Sequence, residues 1–242
     1  MAIEPHRPAG RGRVRPMRLT PEHVALSLRP EPEPAPEPGW TPLTDAELDA
    51  LAERYDAECG SDALWVFAYG SLIWKPDFEA VEHRRATAQG WHRSFCLKIR
   101  RWRGSPHQAG LMLALERGGS CQGVAYRLPD DGRRQQIRRV LVREIRFRHN
   151  LEMVRWIPLR TTQGPLRSLV FWAGPTGERV ARRLPLEQVA WTLARACGHA
   201  GSCAEYLYNT VAHLEEHGIR DRNLWRLQDL VAAELDALHR PG

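Results

Sequence analysis

The residues of this chain best suited to chemistry gather in one eleven-residue stretch, Trp65 to Lys75, reading WVFAYGSLIWK. A short apolar run, Leu64 to Ala68, comes first, and its Val, Phe and Trp fit a buried strand better than a helix. The pattern breaks at Tyr69-Gly70-Ser71. Gly70 accepts backbone angles closed to other residues, so the chain can turn sharply there. Such a turn can aim successive N–H groups at one point, a cradle for an anion or a developing oxyanion. Spacing alone is satisfied equally well by a buried strand that ends in an ordinary Gly-Ser turn. Ser71 could act as a nucleophile, but the Gly-x-Ser-x-Gly elbow of the α/β-hydrolases is missing.

Other chemistry-bearing residues are weaker as spacings. Glu144 follows Arg143 at the end of a helical pattern, and on residues alone it reads as a surface glutamate paired with Arg148 four positions on. His213 and His217 stand one helical turn apart. However, HLEEH is not His-Glu-x-x-His and has no evident third ligand, so an exposed helix face is expected and no metal. The five cysteines, 59, 96, 121, 197 and 203, are odd in number and contain no Cys-x-x-Cys. That pattern argues against a disulfide framework or a zinc knuckle and suits a reducing cytoplasm, with the thiols buried as small apolar groups.

These residues need elements to hold them. Residues 1–42 carry ten of the eighteen prolines and include EPEPAPEP, so they read as a flexible Pro-rich arm. The arm is expected to be dispensable for folding, although Met17 to Leu28 holds apolar residues able to lie against the domain. The domain proper is expected over 43–242. Thr44-Asp45-Ala46-Glu47 has capping-box spacing for a helix running to about Ala57. Strand-like stretches follow at Arg85–Lys98, Ala109–Glu116 and Gln122–Leu128, with Gly118-Gly119 as a hairpin signal between the last two. A helix is expected over Arg133–Glu144, and strands over Met153–Pro158 and Ser168–Trp172. Helices are expected over Leu186–Cys197, Ser202–His217 and Asp221–His239, with Gly218 ending one and Asp221 capping the next. Strands first and helices last point to an α+β fold. No run of eighteen apolar residues suggests a membrane span, and the N-terminus is not a secretory signal. The net charge of +6 raises a nucleic-acid reading, but only Lys75 and Lys98 are lysines and the arginines are scattered among acids. The one dense basic run, Arg100-Arg101-Trp102-Arg103, reads as a solvated loop or as a site that attracts an acidic small molecule. No nucleic-acid partner is expected.

Four blocks of the sequence resemble the ChaC-like family, the glutathione-specific γ-glutamylcyclotransferases. They are WVFAYGSLIWKPDF at 65–78, HQAGLMLALERGGSCQGVAYRLP at 107–129, Arg143-Glu144, and SCAEYLYNTVAHLEEHGIRDRNLWRLQDLVA at 202–232. The resemblance spans roughly residues 64–237, in the family's order. It implies a small mixed β-barrel with helices packed outside. It implies glutathione as the small-molecule substrate, cut by ring closure to 5-oxoproline and cysteinylglycine, with no cofactor. It implies Glu144 as the catalytic acid–base, and a γ-glutamyl site made by Tyr69, Gly70, Ser71 and Leu72, with Val66, Phe67 and Ala68 as strand backbone lining the approach. Tyr206 matches a tyrosine of the family's C-terminal helix and is implied to reach the site; by pattern alone it is equally a core residue of an amphipathic helix. One departure stands out. Where the family has a short Gly-rich step and a tyrosine, this chain reads IRFRHNLEMVRW, with neither before Trp156. Substrate preference or rate is the property this change would touch.

Overall fold

The computed structural model describes residues 16–35, 37–175 and 180–240. At its centre is a closed five-stranded barrel ordered β1-β3-β2-β4-β5. The strands are β1 (Trp65–Ala68), β2 (Glu82–Ile99), β3 (Gly110–Arg127), β4 (Val154–Thr161) and β5 (Gly164–Phe171). β1 runs antiparallel to β3 and parallel to β5, so the barrel is mixed. Its place between two neighbours explains its sequence. All four residues are buried, and a strand covered on both faces reads as a continuous apolar run rather than an alternating one.

Two groups of helices surround the barrel. α2 (Asp45–Cys59) packs on α3 (Arg133–Glu144), and α4 (Leu186–Arg195), α5 (Cys203–Glu216) and α6 (Arg222–Leu238) pack together. Their starts follow the local chemistry expected of them. Thr44 and Glu47 form a reciprocal capping box at α2, and Asp221 Oδ1 accepts from the amides of Asn223 and Leu224 at α6, both at 3.0 Å. Gly218 takes φ 67° just after α5, the left-handed turn that closes a helix. No helix among the described residues is long and apolar enough to cross a membrane.

Gly118-Gly119 is not a hairpin. β3 runs straight through it, and each of β2 and β3 is 18 residues long. Gly118 and Gly119 sit at φ 104° and 71°, opposite Gly90 of β2 at 79°, where the pairing slips between Gln89 and Trp91. Strands that long must coil to stay on a small barrel, and facing irregularities at glycines provide the bend. The glycine pair thus carries turn-forming angles inside a strand, which the sequence pattern does not distinguish from a hairpin.

Part of the arm lies against the domain, as the apolar residues of Met17 to Leu28 allow. It contains a helix, α1 (Pro21–Ser27), which packs against α5 and α6. Leu19 is fully buried and its N–H donates to Gln228 Oε1 at 2.8 Å. The Ser27 and Ser202 hydroxyls are hydrogen-bonded at 2.7 Å. Further on, Arg148 N–H donates to Thr41 O and Leu43 N–H to Arg146 O, both at 3.0 Å. The proline-rich stretch stays extended and lies over the domain, where Arg101 donates to the Pro34 carbonyl and the Glu33 carboxylate. Isolated apolar residues spaced along a polar segment find separate niches, so low average hydrophobicity does not keep the segment in solvent. Residues 1–15 lie outside the described residues.

Leu19→Ala should therefore cost about 2–5 kcal/mol, as other fully buried leucines do. Deleting residues 1–43 should lower the urea midpoint further. A midpoint unchanged by the deletion would show that the arm's contacts contribute nothing to folding.

Candidate active site

The site is built where β1 ends. Tyr69, the first residue beyond the strand, is anchored at both polar atoms. Its hydroxyl donates to the Phe171 carbonyl at 2.6 Å, and its own carbonyl accepts from Arg93 Nη1 at 2.8 Å. Gly70 follows, and then a single 3₁₀ turn, Ser71–Ile73, in which Lys75 N–H closes on the Ser71 carbonyl at 2.8 Å. The amides of Gly70 and Leu72 meet no acceptor among the described residues. Gly70 does not need a left-handed conformation. What it needs is space, because a Cβ there would lie 2.8 Å from Tyr206 Oη and 3.3 Å from Leu113 Cδ2.

Tyr206, in the first turn of α5, caps this turn. Its hydroxyl oxygen accepts from Ser71 N–H at 3.3 Å, which leaves its proton free to be donated elsewhere. The ring is held edge-on by Trp74 and Phe95, with centroids at 5.8 and 6.0 Å. The Arg103 guanidinium stands 5.5 Å from the Tyr206 centroid and 5.7 Å from that of Trp74. Arg103 is itself fixed by the Ser202 carbonyl at 2.8 Å and the Glu205 carboxylate at 2.5 Å.

Glu144 closes the group. It is the last residue of α3, so it has no helical partner at i+4; Arg148 pairs with Glu47 instead. The Glu144 carboxylate accepts from Arg143 Nε at 3.1 Å, while Arg143 Nη1 bonds Asp77 Oδ2 at 2.7 Å. The Glu144 side chain is 22% exposed. Burial lifts its carboxyl above the ordinary carboxylate range; Arg143 pulls it down, and the Asp77 charge adds to the lift. Burial also pushes the Tyr69 and Tyr206 phenols up, and the Glu144 charge adds to both. The Glu144 charge thus reaches both phenols.

The structure thus brings Tyr206 onto the Tyr69–Leu72 turn and sets the Glu144 charge near enough to raise both phenols, although turn, helix α3 and helix α5 lie far apart in sequence. Val66, Phe67 and Ala68 form the fully buried strand leading to the turn. His213 lies to one side, with Nδ1 2.7 Å from the Asn209 carbonyl and its ring tilted against Trp74, while His217 faces His83. All five cysteines are unpaired and buried, and burial pushes the Cys203 and Cys96 thiols up to about 12. A thiol so far from ionisation is a poor nucleophile.

Two site residues were not singled out from sequence. Arg93 was legible only as an arginine two residues before Phe95 on the same face of a strand, and Arg103 only as one member of a basic run. Neither pattern says that the guanidinium holds a carbonyl of the turn or lies against the tyrosine ring.

Comparison with known proteins gives the family and the fold. Residues 64–234 match the family described as ChaC-like protein. The chain belongs to the ChaC-like family. It is 35% identical over 208 residues to the glutathione-specific gamma-glutamylcyclotransferase of Escherichia coli strain K12, covering 83% of this chain and 89% of that protein. It is 28% identical over 200 residues to the human glutathione-specific gamma-glutamylcyclotransferase 1, covering 81% and 90%. A crystal structure of a yeast γ-glutamyl cyclotransferase specific to glutathione shares the fold with a TM-score of 0.64 and 19% identity, covering 74% of this chain and 99% of that one.

Gly70→Ala should force Tyr206 off the turn and cost about 1–3 kcal/mol, as overpacking does. The double variant Gly70→Ala/Tyr206→Phe, which removes the clashing oxygen, should recover part of that loss. Additive losses in a double-mutant cycle would mean that the two groups do not meet.

Proposed function

We propose that this chain is a glutathione-specific γ-glutamylcyclotransferase acting in the cytoplasm. What supports the reading is a largely buried carboxyl, Glu144, raised above its ordinary range and near enough to raise the Tyr69 and Tyr206 phenols, beside a turn whose Ser71 N–H is capped by the Tyr206 hydroxyl. Membership of the ChaC-like family and the naming of its relatives support it. Five unpaired thiols fit a reducing compartment.

The chemistry assigns each group a task. The α-amino nitrogen of the γ-glutamyl unit attacks that unit's own side-chain carbonyl carbon. The new C–N bond closes a five-membered lactam, and the bond to the cysteinyl nitrogen breaks. Atoms balance without water: glutathione becomes 5-oxoproline plus cysteinylglycine. Ring closure needs the substrate folded upon itself, and holding it so supplies effective molarity. The open amides of Gly70 and Leu72 suit the negatively polarised atoms of the γ-glutamyl unit, and the Tyr206 O–H is a further donor. A phenol pushed up by burial keeps its proton, so Tyr206 remains a donor across the neutral range. Glu144 takes a proton from the α-ammonium and delivers one to the departing amine. A carboxyl lifted above its ordinary range is better matched to that exchange near neutral pH.

A second reading keeps ring closure but changes the leaving group. The feature that favours it is the segment after Glu144, where Trp40 of the arm packs against Phe147 and His149, with centroids at 4.7 and 5.2 Å. Assaying glutathione beside γ-glutamyl-alanine separates the two readings.

Purified protein given reduced glutathione should release 5-oxoproline and cysteinylglycine, and a chelator should not stop it. Release of free glutamate instead would overturn the mechanism. Glu144→Gln should lower turnover by ~10²-fold or more, the usual scale of general acid–base help. Its fold should hold. A raised folded-state pKa favours the neutral acid, so the stability this group contributes is full below its unfolded-state pKa and is lost as pH rises through the folded one. At neutral pH the uncharged Gln should therefore be at least as stable as Glu. The acid limb of the kcat/KM profile, displaced above the ordinary carboxylate range, should vanish in the variant. A folded Glu144→Gln enzyme with near-normal turnover would remove this residue from the mechanism.

A further inference from the structure

A second cavity, of about 560 Å³, is bounded by β2, β3, α4 and α6, and neither the Tyr69–Leu72 turn nor Glu144 nor Tyr206 lines it. Its size suits a small molecule. Part of its wall is apolar, from Val189, Leu224 and Leu227. Among the described residues that line it the charge is one-sided: five arginines, Arg93, Arg117, Arg155, Arg182 and Arg183, stand against one carboxylate, Glu116. Glu116 is already matched, with Oε1 3.3 Å from Arg182 Nε and Oε2 4.0 Å from His92 Nε2. Arg155 and Arg117 flank the Trp172 ring at 4.4 and 5.8 Å, held in place by stacking. Among the described residues neither these two nor Arg183 pairs with a carboxylate.

Arg93 lies under the cavity and ties it to the Tyr69 carbonyl. Its side chain is only 2% exposed, and its Nε stands 3.1 Å from Asp221 Oδ2 but out of line for a hydrogen bond. Nη1 is used on the Tyr69 carbonyl, while Nε and Nη2 have no hydrogen-bond partner. These two atoms are shut off from the cavity, and the Asp221 carboxylate supplies the counter-charge of Arg93, so the free positive charge facing the cavity comes from the other arginines. Fixed, unneutralised guanidiniums in a concave, partly apolar site are the features that concentrate an anionic ligand.

We propose that this cavity binds a small polyanion, phosphorylated or polycarboxylated, at a site separate from the substrate turn. Enclosure at this volume favours a small molecule over a nucleic-acid strand. Direct binding tests it without reference to turnover, so its failure is distinguishable from failure of the proposed reaction. ATP, inorganic tripolyphosphate and citrate are titrated calorimetrically into the full chain; the last two separate phosphate from carboxylate recognition. Saturable binding of one molecule per chain is expected for at least one probe, weakening as salt rises. Arg117→Glu/Arg155→Glu should weaken it by about tenfold or more. Arg183→Glu, at an exposed position, should weaken it in the same direction and guards against misfolding of the double variant. An unreactive γ-glutamyl analogue should not displace the probe. The proposal is overturned if none of the three probes saturates, if both variants bind as the parent does, or if the analogue displaces the probe competitively.

Discussion

The site depends on how closely α5 approaches the end of β1. Tyr206 Oη stands where a side chain at residue 70 would begin, so the contact exists only because that residue is glycine. The approach is held from several sides. Trp74 and Phe95 fix the ring, and Arg103 lies against it while bonded to both Ser202 and Glu205 of the same helix start. Below the turn, Arg93 and Phe171 fix Tyr69 through its carbonyl and its hydroxyl. A turn pinned at both ends can hold its amides open without collapsing onto them, which is the form of preorganisation that electrostatic catalysis requires.

Arginine does much of this positioning, and that gives the basic composition a physical sense. Arg93 and Arg103 each place a buried guanidinium against a main-chain carbonyl and a carboxylate, and Arg143 links Glu144 to Asp77. Arg133 ties α3 to α2 through Asp56 and the Gly60 and Asp62 carbonyls. Arginine suits such places because it offers several donors in one rigid plane and stacks on aromatic rings. Much of the charge is thereby matched inside the fold. One place where it is left unmatched is the cavity behind Arg93.

The barrel was legible where local pattern and final environment agree. The apolar run before Tyr69 reads as a buried strand and is one; Thr44 and Asp221 read as caps and are caps. Gly118-Gly119 misled because positive-φ angles serve a hairpin and a long coiled strand alike, and only the register with Gly90 separates them. Glu144 was legible through resemblance rather than through spacing. Its pattern allows a pair with Arg148, and only the termination of α3 at residue 144 removes that partner. The arm's contacts were only partly legible, through the apolar residues of Met17 to Leu28, because composition averages over residues that act singly: Leu19 is one residue in a polar segment, yet it is fully buried.

The arm also resolves a tension in the sequence after Glu144. A carboxyl at a helix C-terminus, where Glu144 stands, is exposed to fraying, and the segment that follows lacks the compact step that the family resemblance implies. Here α3 closes with Ile145 N–H on the Leu141 carbonyl at 2.8 Å, and Ile145 and Phe147 are both buried. Beyond that point the segment forms a 3₁₀ stretch, Arg148–Met153, and is braced from outside as well. Pro42 bridges Phe147, Thr41 and Leu43 supply backbone partners on either side, and Trp40 stacks on Trp102 while meeting Phe147 edge-on and His149 at a tilt. Trp102 in turn precedes Arg103, which braces Tyr206. One run of packed groups therefore leads from the arm to both polar edges of the site, to Glu144 through the 145–149 segment and to Tyr206 through Arg103. Residues 40–43 do from outside the family-like region what a shorter connection would do from within it.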